Sequence, residues 1–306
     1  MSQRVLEPGE IQNGAAPQAT PVVLPDAATV FSARAQRLRQ LASGHALADY
    51  LQFIAHIADA QQHALAALTV VSLPDAATLD LARTHRMPPL NALSGTRDAG
   101  WRHALSAVLK VAAQNTAGVA REHVLRVAAE TASTLETQAD RILRGVTAGL
   151  DFAGAPLIAA GLQVYWVAQV TKLGASALAP LDVPTVCPAC GMRPVASVVR
   201  AGAGSGQRYL HCALCSTEWH MVRIKCTDCE STTGIQYYAI EGEGPVVKAE
   251  VCSDCGGYLK VMSTEQGPFV EPTADDLASM SLDLLMADAG RLRTGPNLML
   301  FSADES

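Results

Sequence analysis

Apolar residues in the first 180 positions recur at intervals of three and four, which places them on one face of an α-helix. The clearest stripe begins at Leu47, passes through Leu51, Ile54 and Leu65, and ends at Leu68. The same spacing predicts further helices at 26–41, 101–112, 116–130, 132–149 and 155–174. A proline pair at 88–89 interrupts the pattern, because proline lacks the amide that a helix interior needs. Residues 26–182 are therefore predicted to form an all-helical domain.

Beyond Pro184 the pattern changes to short runs rich in β-branched and aromatic residues. These runs predict strands at 195–200, 208–211, 219–225, 235–240, 246–251 and 258–262. Glycine-rich segments at 202–206 and 241–244 lie between neighbouring runs and predict hairpin turns. A final helix is expected to run from Thr273, as its N-terminal cap, to about Ala289.

The two patterns divide the chain into four parts. Residues 1–25 are rich in proline, glutamine and glycine and are expected to be a mobile tail. The helical domain (26–182) is followed by a β-rich region (183–270) and by a C-terminal helix and tail (271–306). The predicted fold class is a multidomain α+β protein.

An uncharged segment from Phe152 to Thr171 is long enough to cross a membrane. It contains Gln163, Gln169 and many small residues, which favour a buried core helix over a membrane span. Residues 1–19 lack the apolar run of a secretory signal, so the protein is expected to stay in the cytoplasm. Thiols are kept reduced there, and paired cysteines indicate metal ligands more than disulfides.

Cysteine has the most specific spacing in the sequence. All eight cysteines fall into four Cys-x-x-Cys knuckles: Cys187/Cys190, Cys212/Cys215, Cys226/Cys229 and Cys252/Cys255. A tight turn within each knuckle points two sulfurs at one ion, and two knuckles complete a tetrahedron. Glycine, which accepts a left-handed backbone, follows the first and last knuckles as Gly191 and Gly256. Ser216 and Glu230 hold that position in the inner two, which are less ideal.

The spacing between knuckles indicates how they pair. Twenty-one residues separate Cys190 from Cys212, and twenty-two separate Cys229 from Cys252, enough for a β-hairpin in each case. This predicts site 1 from the first two knuckles, in a module at 185–222, and site 2 from the last two, in a module at 223–262. Interleaved pairing, as in cross-braced folds, is the alternative.

Four thiolates suit zinc and iron equally well in geometry. Zinc would make both sites structural staples of a small β-rich fold, whereas iron could also change oxidation state. Dithiol exchange is less favoured, because it typically uses a single knuckle beside a βαβ unit. His211 and His220 flank the second knuckle but are not needed as ligands. Trp219 and the pair Tyr237-Tyr238 form either a binding face or, as we favour, the core of the ribbons.

Charge argues against nucleic acid as a partner. The chain has a net charge of −6, and residues 187–262 contain seven Lys/Arg and seven Asp/Glu. Without a basic stripe, binding to phosphates would be weak. No phosphate-binding loop and no nucleophile with a plausible base is found, so we predict that the protein is not an enzyme.

Several runs resemble the formate dehydrogenase accessory protein family, FdhE. They are Asp49-Tyr50-Leu51, Tyr165-Trp166, Cys187–Gly191, Arg208–Cys212, Glu218–His220, Arg223–Cys226, Lys248–Glu250, Tyr258–Lys260 and Ala274–Ala278. The resemblance covers nearly the whole chain after residue 25 and includes all eight cysteines.

The resemblance implies a cytoplasmic, rubredoxin-like, iron-binding factor that respiratory formate dehydrogenase needs for activity. Such a factor associates with the catalytic subunit, which carries a molybdenum or tungsten cofactor and an iron–sulfur cluster. It implies two iron ions, with zinc possible, and a ligand role for each cysteine. No catalytic residue, nucleic-acid contact or membrane insertion follows from it. The alternative is a nucleic-acid- or protein-binding zinc-ribbon protein whose metals are purely structural.

Overall fold

The computed structural model describes residues 19–93, 97–202 and 206–301. A helical half precedes a β-sheet half and two short C-terminal helices, which confirms the predicted α+β class. The helices of the first half are α1 (Val30–Ala42), α2 (Ala48–Ala67), α3 (Ala76–Thr84), α4 (Gly100–Asn115), α5 (Gly118–Ala128), α6 (Ala132–Arg144) and α7 (Ala155–Leu173).

Helix α7 is the centre of the helical core. Every residue from 155 to 170 is buried, which confirms the core-helix interpretation of the uncharged segment. Gly161 permits a close approach of α4, since a Cβ there would lie only 2.7 Å from the Cα of Leu105. In the part of the chain that the structure describes, no helix has the length and apolar character needed to cross a membrane.

The helical half differs from the sequence expectations in several places; helix α6, for example, ends at Arg144, before left-handed Gly145, and not at 149. Helix α3 was not predicted, because none of its residues is buried and no apolar stripe marks it. It is capped locally by Asp75, whose carboxylate accepts the amide of Thr78 at 2.8 Å. Helix α1 begins at Val30 and not at 26, since Asp26 instead holds a turn by accepting the amide of Ala28 and the hydroxyl of Thr29.

The strands form a single sheet. They are β1 (Val22–Val23), β2 (Pro194–Val199), β3 (Arg208–Cys212), β4 (Glu218–Met221), β5 (Ile235–Tyr238), β6 (Val247–Cys252), β7 (Gly257–Ser263) and β8 (Leu292–Arg293). Their order is β1-β4-β3-β2-β7-β6-β5, with β8 beside β7. Both predicted hairpins are present as antiparallel pairs, β2–β3 and β5–β6. Strands β2 and β7 pair in parallel, with Ser197 opposite Val261, and this pairing joins the two cysteine modules.

The structure differs from several expectations at the ends of the β region. Val22 and Val23 lie within the expected tail, yet they pair with Trp219 and Glu218 of β4. Residues 1–18 of that tail and residues 203–205 of the predicted 202–206 turn lie outside the described residues. The run predicted as a strand over 219–225 leaves the sheet after Met221.

The predicted C-terminal helix is broken in two. Helix α8 (Pro272–Ala278) and helix α9 (Met280–Asp288) meet at Ser279. The cap is Glu271 and not Thr273, because the Glu271 carboxylate accepts the amide of Ala274 at 2.7 Å. Pro272 can occupy the first helical position because an amide at that position would have no partner within the helix. The helix therefore begins at Pro272, one residue earlier than predicted.

The tyrosines and tryptophan of the ribbons have different environments. Trp219 is buried and donates its indole N–H to the Pro184 carbonyl at 2.8 Å, which confirms its place in the core. Tyr237 and Tyr238 are exposed, so the expectation that they belong to the core is wrong. Strand β5 lies at one end of the sheet, where both rings are open to solvent.

A buried arginine connects the helical half to the cysteine region. Arg34 of α1 is fully buried, and its guanidinium contacts three separate elements. Its Nε donates to Glu271 Oε1 at 3.0 Å, Nη1 to Gln163 Oε1 at 3.2 Å and Nη2 to Ser216 Oγ at 3.3 Å. Gln163 in turn donates to the Ala213 carbonyl at 2.8 Å, inside the second knuckle. Arg34 therefore holds α1, α7, α8 and that knuckle together.

Replacement of this side chain, Arg34→Met, should lower the free energy of unfolding by about 3–5 kcal/mol, because it leaves the largely buried Glu271 carboxylate without its cation. Urea denaturation followed by tryptophan fluorescence measures the change. The matched control is Arg39→Met in the same helix, whose pair with Asp59 is exposed to solvent and should contribute less than about 1 kcal/mol. Equal losses in the two variants would contradict the connecting role of Arg34.

Candidate metal centres

The same backbone conformation follows each of the four knuckles. Gly191, Ser216, Glu230 and Gly256 all have positive φ, at 78°, 55°, 61° and 73°. The turn thus keeps its left-handed residue even where a side chain makes that conformation costly, by roughly 1–2 kcal/mol. The predicted positions of the four turns are confirmed, and Ser216 and Glu230 are the strained ones.

Site 1 brings together Cys187, Cys190, Cys212 and Cys215, whose sulfurs all lie within 4.8 Å of one another. The sulfur of Cys187 is 3.6 Å from that of Cys215, and the sulfur of Cys190 is 3.4 Å from that of Cys212. All four residues are buried where β2 and β3 meet the helical half. The amides of Leu214 and Cys215 donate to the Cys212 sulfur, each at 3.4 Å. The protein thereby directs positive dipoles at this sulfur.

Site 2 brings together Cys226, Cys229, Cys252 and Cys255 in the same arrangement. The Cys226–Cys255 and Cys229–Cys252 sulfur distances are both 3.7 Å. Amides of Asp228 and Gly257 donate to the sulfurs of Cys226 and Cys255 at 3.4 Å. In contrast to site 1, Cys229 is exposed and Cys255 is partly exposed. Site 2 is thus open to solvent on one side.

The sulfur spacing fits a metal ion. Metal–sulfur bonds of about 2.3 Å in a tetrahedron place the sulfurs about 3.8 Å apart. A disulfide would require about 2.05 Å, and all eight cysteines are free. The structure groups the knuckles in sequential and not interleaved order, as the hairpin spacing predicts. Each cluster can therefore hold one tetrahedral ion, and four sulfurs leave no further ligand position.

Ionisation in site 1 differs sharply between its sulfurs. Burial raises the pKa of the Cys187 and Cys190 thiols well above the usual value. Burial also opposes ionisation of Cys215, but hydrogen bonds from the other three cysteines and from Thr217 outweigh it and lower the pKa of the Cys215 thiol. Ionisation of Cys215 therefore makes ionisation of the neighbouring thiols less favourable. A bound cation would remove this competition, because it stabilises every thiolate around it.

The same competition occurs in site 2. Burial raises the pKa of the Cys226 thiol to about 12 and also raises the pKa of the Cys255 thiol. At Cys252 burial is outweighed by amide hydrogen bonds from Cys255 and Asp254, and the pKa of its thiol is lowered. Each cluster thus contains one cysteine whose thiol pKa is lowered beside two whose thiol pKa is raised, an arrangement that suits a thiophilic cation.

The histidines beside the second knuckle have other partners. His211 is buried, and its Nδ1 lies 3.3 Å from Glu218 Oε1, while His220 is exposed with its ring edge against Tyr209. Two residues that support site 1 were not found from the sequence. Thr217 Oγ1 lies 3.2 Å from the Cys215 sulfur, and Arg34 binds Ser216 from 182 positions away. No local pattern marks Arg34, although the hydroxyl two residues after a ligand is a usable signal for Thr217.

In the folded protein, iodoacetamide should modify Cys229 at least about tenfold faster than any cysteine of site 1, because only exposed thiolates react readily. Peptide mass spectrometry at successive times measures each rate. Cys190 is the internal control, since it is the second cysteine of its knuckle, as Cys229 is, but is buried. A metal chelator should likewise release an ion from site 2 before site 1. Equal rates at Cys190 and Cys229 would contradict the difference in exposure.

Comparison with known proteins covers the whole described chain. Residues 19–182 match the FdhE N-terminal domain, 186–223 the FdhE central domain and 224–300 the FdhE C-terminal domain. The chain is 39% identical over 298 residues to a protein FdhE homolog of Edwardsiella ictaluri, covering 96% of this chain and 95% of the relative. It is 36% identical over 308 residues to protein FdhE of Salmonella dublin, covering 99% of each.

A solved structure has the same fold. The crystal structure of the FdhE protein from Pseudomonas aeruginosa superimposes with a TM-score of 0.84 at 35% sequence identity, covering 92% of this chain and 99% of that one. Domain matches, full-length relatives and the superposition all agree. The chain therefore belongs to the FdhE family.

Proposed function

We propose that this chain is a cytoplasmic accessory factor that respiratory formate dehydrogenase needs for activity, and that it acts by binding the catalytic subunit of that enzyme. The observation that carries the proposal is a pair of preformed four-cysteine clusters in a chain that matches FdhE proteins along its length. The factor itself catalyses no reaction. Its task is to hold metal and to present a docking surface to the immature or folded subunit.

Each cluster is proposed to bind one iron ion, through Cys187, Cys190, Cys212 and Cys215 in site 1 and through Cys226, Cys229, Cys252 and Cys255 in site 2. An iron–tetrathiolate centre can gain and lose one electron without a change of ligands. Electron exchange with a partner requires a short path through the protein surface. Exposed Cys229 supplies that path at site 2, whereas the ion of site 1 would be enclosed and would mainly stabilise the fold.

Protein purified without oxygen should contain about two iron ions per chain, because each cluster supplies a complete tetrahedron of thiolates. Elemental analysis together with an absorption spectrum tests this, since ferric thiolate centres are coloured and zinc centres are not. The Cys229→Ser variant should retain the site 1 ion and change the spectrum of site 2 alone. About two zinc ions would contradict the iron assignment, and protein without any metal would contradict the ligand role of the cysteines.

A tagged form of the chain should capture the catalytic subunit from cells that produce respiratory formate dehydrogenase, since the proposed factor acts by direct contact. Mass spectrometry of the eluate measures the capture. The control is the same tagged chain in cells grown under conditions that repress the enzyme. Repeated absence of the subunit from the first sample, with intact and metal-loaded bait, would contradict the proposed function.

A further inference from the structure

Strand β5 forms one end of the sheet and pairs, among the described residues, with β6 alone. The amide of Ser253 donates to the Gly234 carbonyl at 3.0 Å, which sets the alternation of the antiparallel ladder. Backbone groups of Gln236 and Tyr238 therefore point towards β6, and those of Ile235 and Tyr237 point outward. The opposite end of the sheet is different, because the end strand there is β1, which has only two residues. The β5 edge thus offers two amides and two carbonyls to an additional strand.

Large apolar side chains are exposed on β5 and on the segment that follows β4. Tyr237 and Tyr238 are 49% and 38% exposed, and Val222 and Ile224 of that segment are 61% and 57% exposed. Together these four residues and the outward backbone of β5 are called the β5 edge below. Exposed aromatic and aliphatic side chains next to unpaired backbone are the surface that a strand-adding peptide needs.

The position of Tyr237 is held from inside the protein. Its hydroxyl donates to Glu250 Oε2 at 2.9 Å, and Glu250 Oε1 accepts from Arg208 Nη2 at 2.6 Å. Arg208 also donates to the carbonyls of Arg223 and Lys225, at 3.2 and 3.1 Å. These contacts link the Tyr237 ring through Glu250 and Arg208 to the segment that contains Val222 and Ile224. The surface is therefore preorganised, which lowers the entropic cost of binding.

Negative charge lies at both ends of the edge. At the start of β5 the carboxylate of Asp254 lies beside Gly234, is exposed, and forms no ion pair within the described residues. Glu241 and Glu243 follow the end of β5, are exposed, and form no ion pair within the described part of the chain. The four residues of β5 span about 13 Å. An extended segment with a cation near each end and apolar residues between them matches this arrangement of charge.

We propose that the β5 edge binds an extended segment of the partner protein by strand addition, and that this segment has lysine or arginine at both ends with β-branched residues between. The identity of the partner as the formate dehydrogenase catalytic subunit rests on the function proposed above. The binding chemistry of the edge does not, and it can be tested with a synthetic probe.

The probe is a fluorescein-labelled nine-residue peptide with two lysines at each end and alternating valine and threonine between. It should bind the metal-loaded full chain, measured by fluorescence anisotropy, and bind at least about tenfold more weakly when glutamates replace its lysines. Amide exchange of Ile235 and Tyr237 should slow at least about tenfold on binding, while Gln236 and Tyr238, already bonded to β6, should change little. Unchanged exchange at Ile235 and Tyr237 would overturn the proposal.

Charge reversal supplies the matched variants. The double substitution Glu241→Lys with Glu243→Lys should weaken the basic probe about tenfold, whereas Glu122→Lys, an exposed site on α5, should not. Undiminished binding in the double variant would overturn the proposal. Slow amide exchange of Ile235 and Tyr237 in the absence of the probe would also overturn the proposal in two cases. One is that the protection disappears when residues 1–18 are removed, and the other is that the protection increases with protein concentration. The first result assigns the edge to this chain's own N-terminal segment, and the second to another copy.

The capture experiment separates the two proposals. Loss of subunit capture in the double variant, with capture retained in Glu122→Lys, supports the β5 edge as the docking surface. Undiminished capture in the double variant overturns that assignment and leaves the proposed function standing. Failure of the unaltered chain to capture the subunit contradicts the proposed function, and the amide-exchange result with the probe still decides whether the edge adds a strand.

Discussion

Mutual repulsion between closely spaced sulfurs is the constraint on which the β half depends. Sulfurs of facing knuckles lie 3.4–3.7 Å apart, and burial raises the pKa of the Cys187, Cys190, Cys226 and Cys255 thiols. A bound ion converts this repulsion into four attractive bonds and fixes the two knuckles of each site relative to one another. Because each knuckle ends a hairpin, fixing the knuckles also fixes the register of the strands between them. The strained backbone at Ser216 and Glu230 persists because this arrangement requires it.

The two sites differ in surroundings more than in ligands. Site 1 lies against the helical core, where α1 and α7 supply Arg34 and Gln163 to the turn after its second knuckle. At site 2, by contrast, Cys229 is exposed to solvent. Parallel pairing of β2 with β7 nevertheless joins the two sites into one sheet. A metal ion in the enclosed site would therefore stabilise the attachment of the sheet to the helices, while the open site remains accessible to solvent.

Local signals in the sequence predicted most of the elements and both clusters. The Cys-x-x-Cys spacing and the hairpin-length gaps were sufficient to assign each cysteine to the cluster in which the structure places it. Apolar periodicity found six of the seven helices of the first half, and it missed α3 because that helix buries nothing. The C-terminal helix was predicted as one element, because nothing in its apolar pattern marks the break at Ser279.

The sequence by itself determined the local features of the protein: two clusters of four cysteines, four left-handed turns, a helical half and a β-rich half. These features depend on residues that are no further apart in the sequence than the two ends of a hairpin, so spacing alone is enough to predict them. The tertiary structure alone decided which cluster is buried and that β1 forms one end of the sheet. It also decided that Tyr237 and Tyr238 are exposed to solvent at the other end. It also decided that Arg34 lies beside Ser216. Those outcomes depend on contacts between distant segments, and exposure at any one position is the result of how all the other segments pack around it.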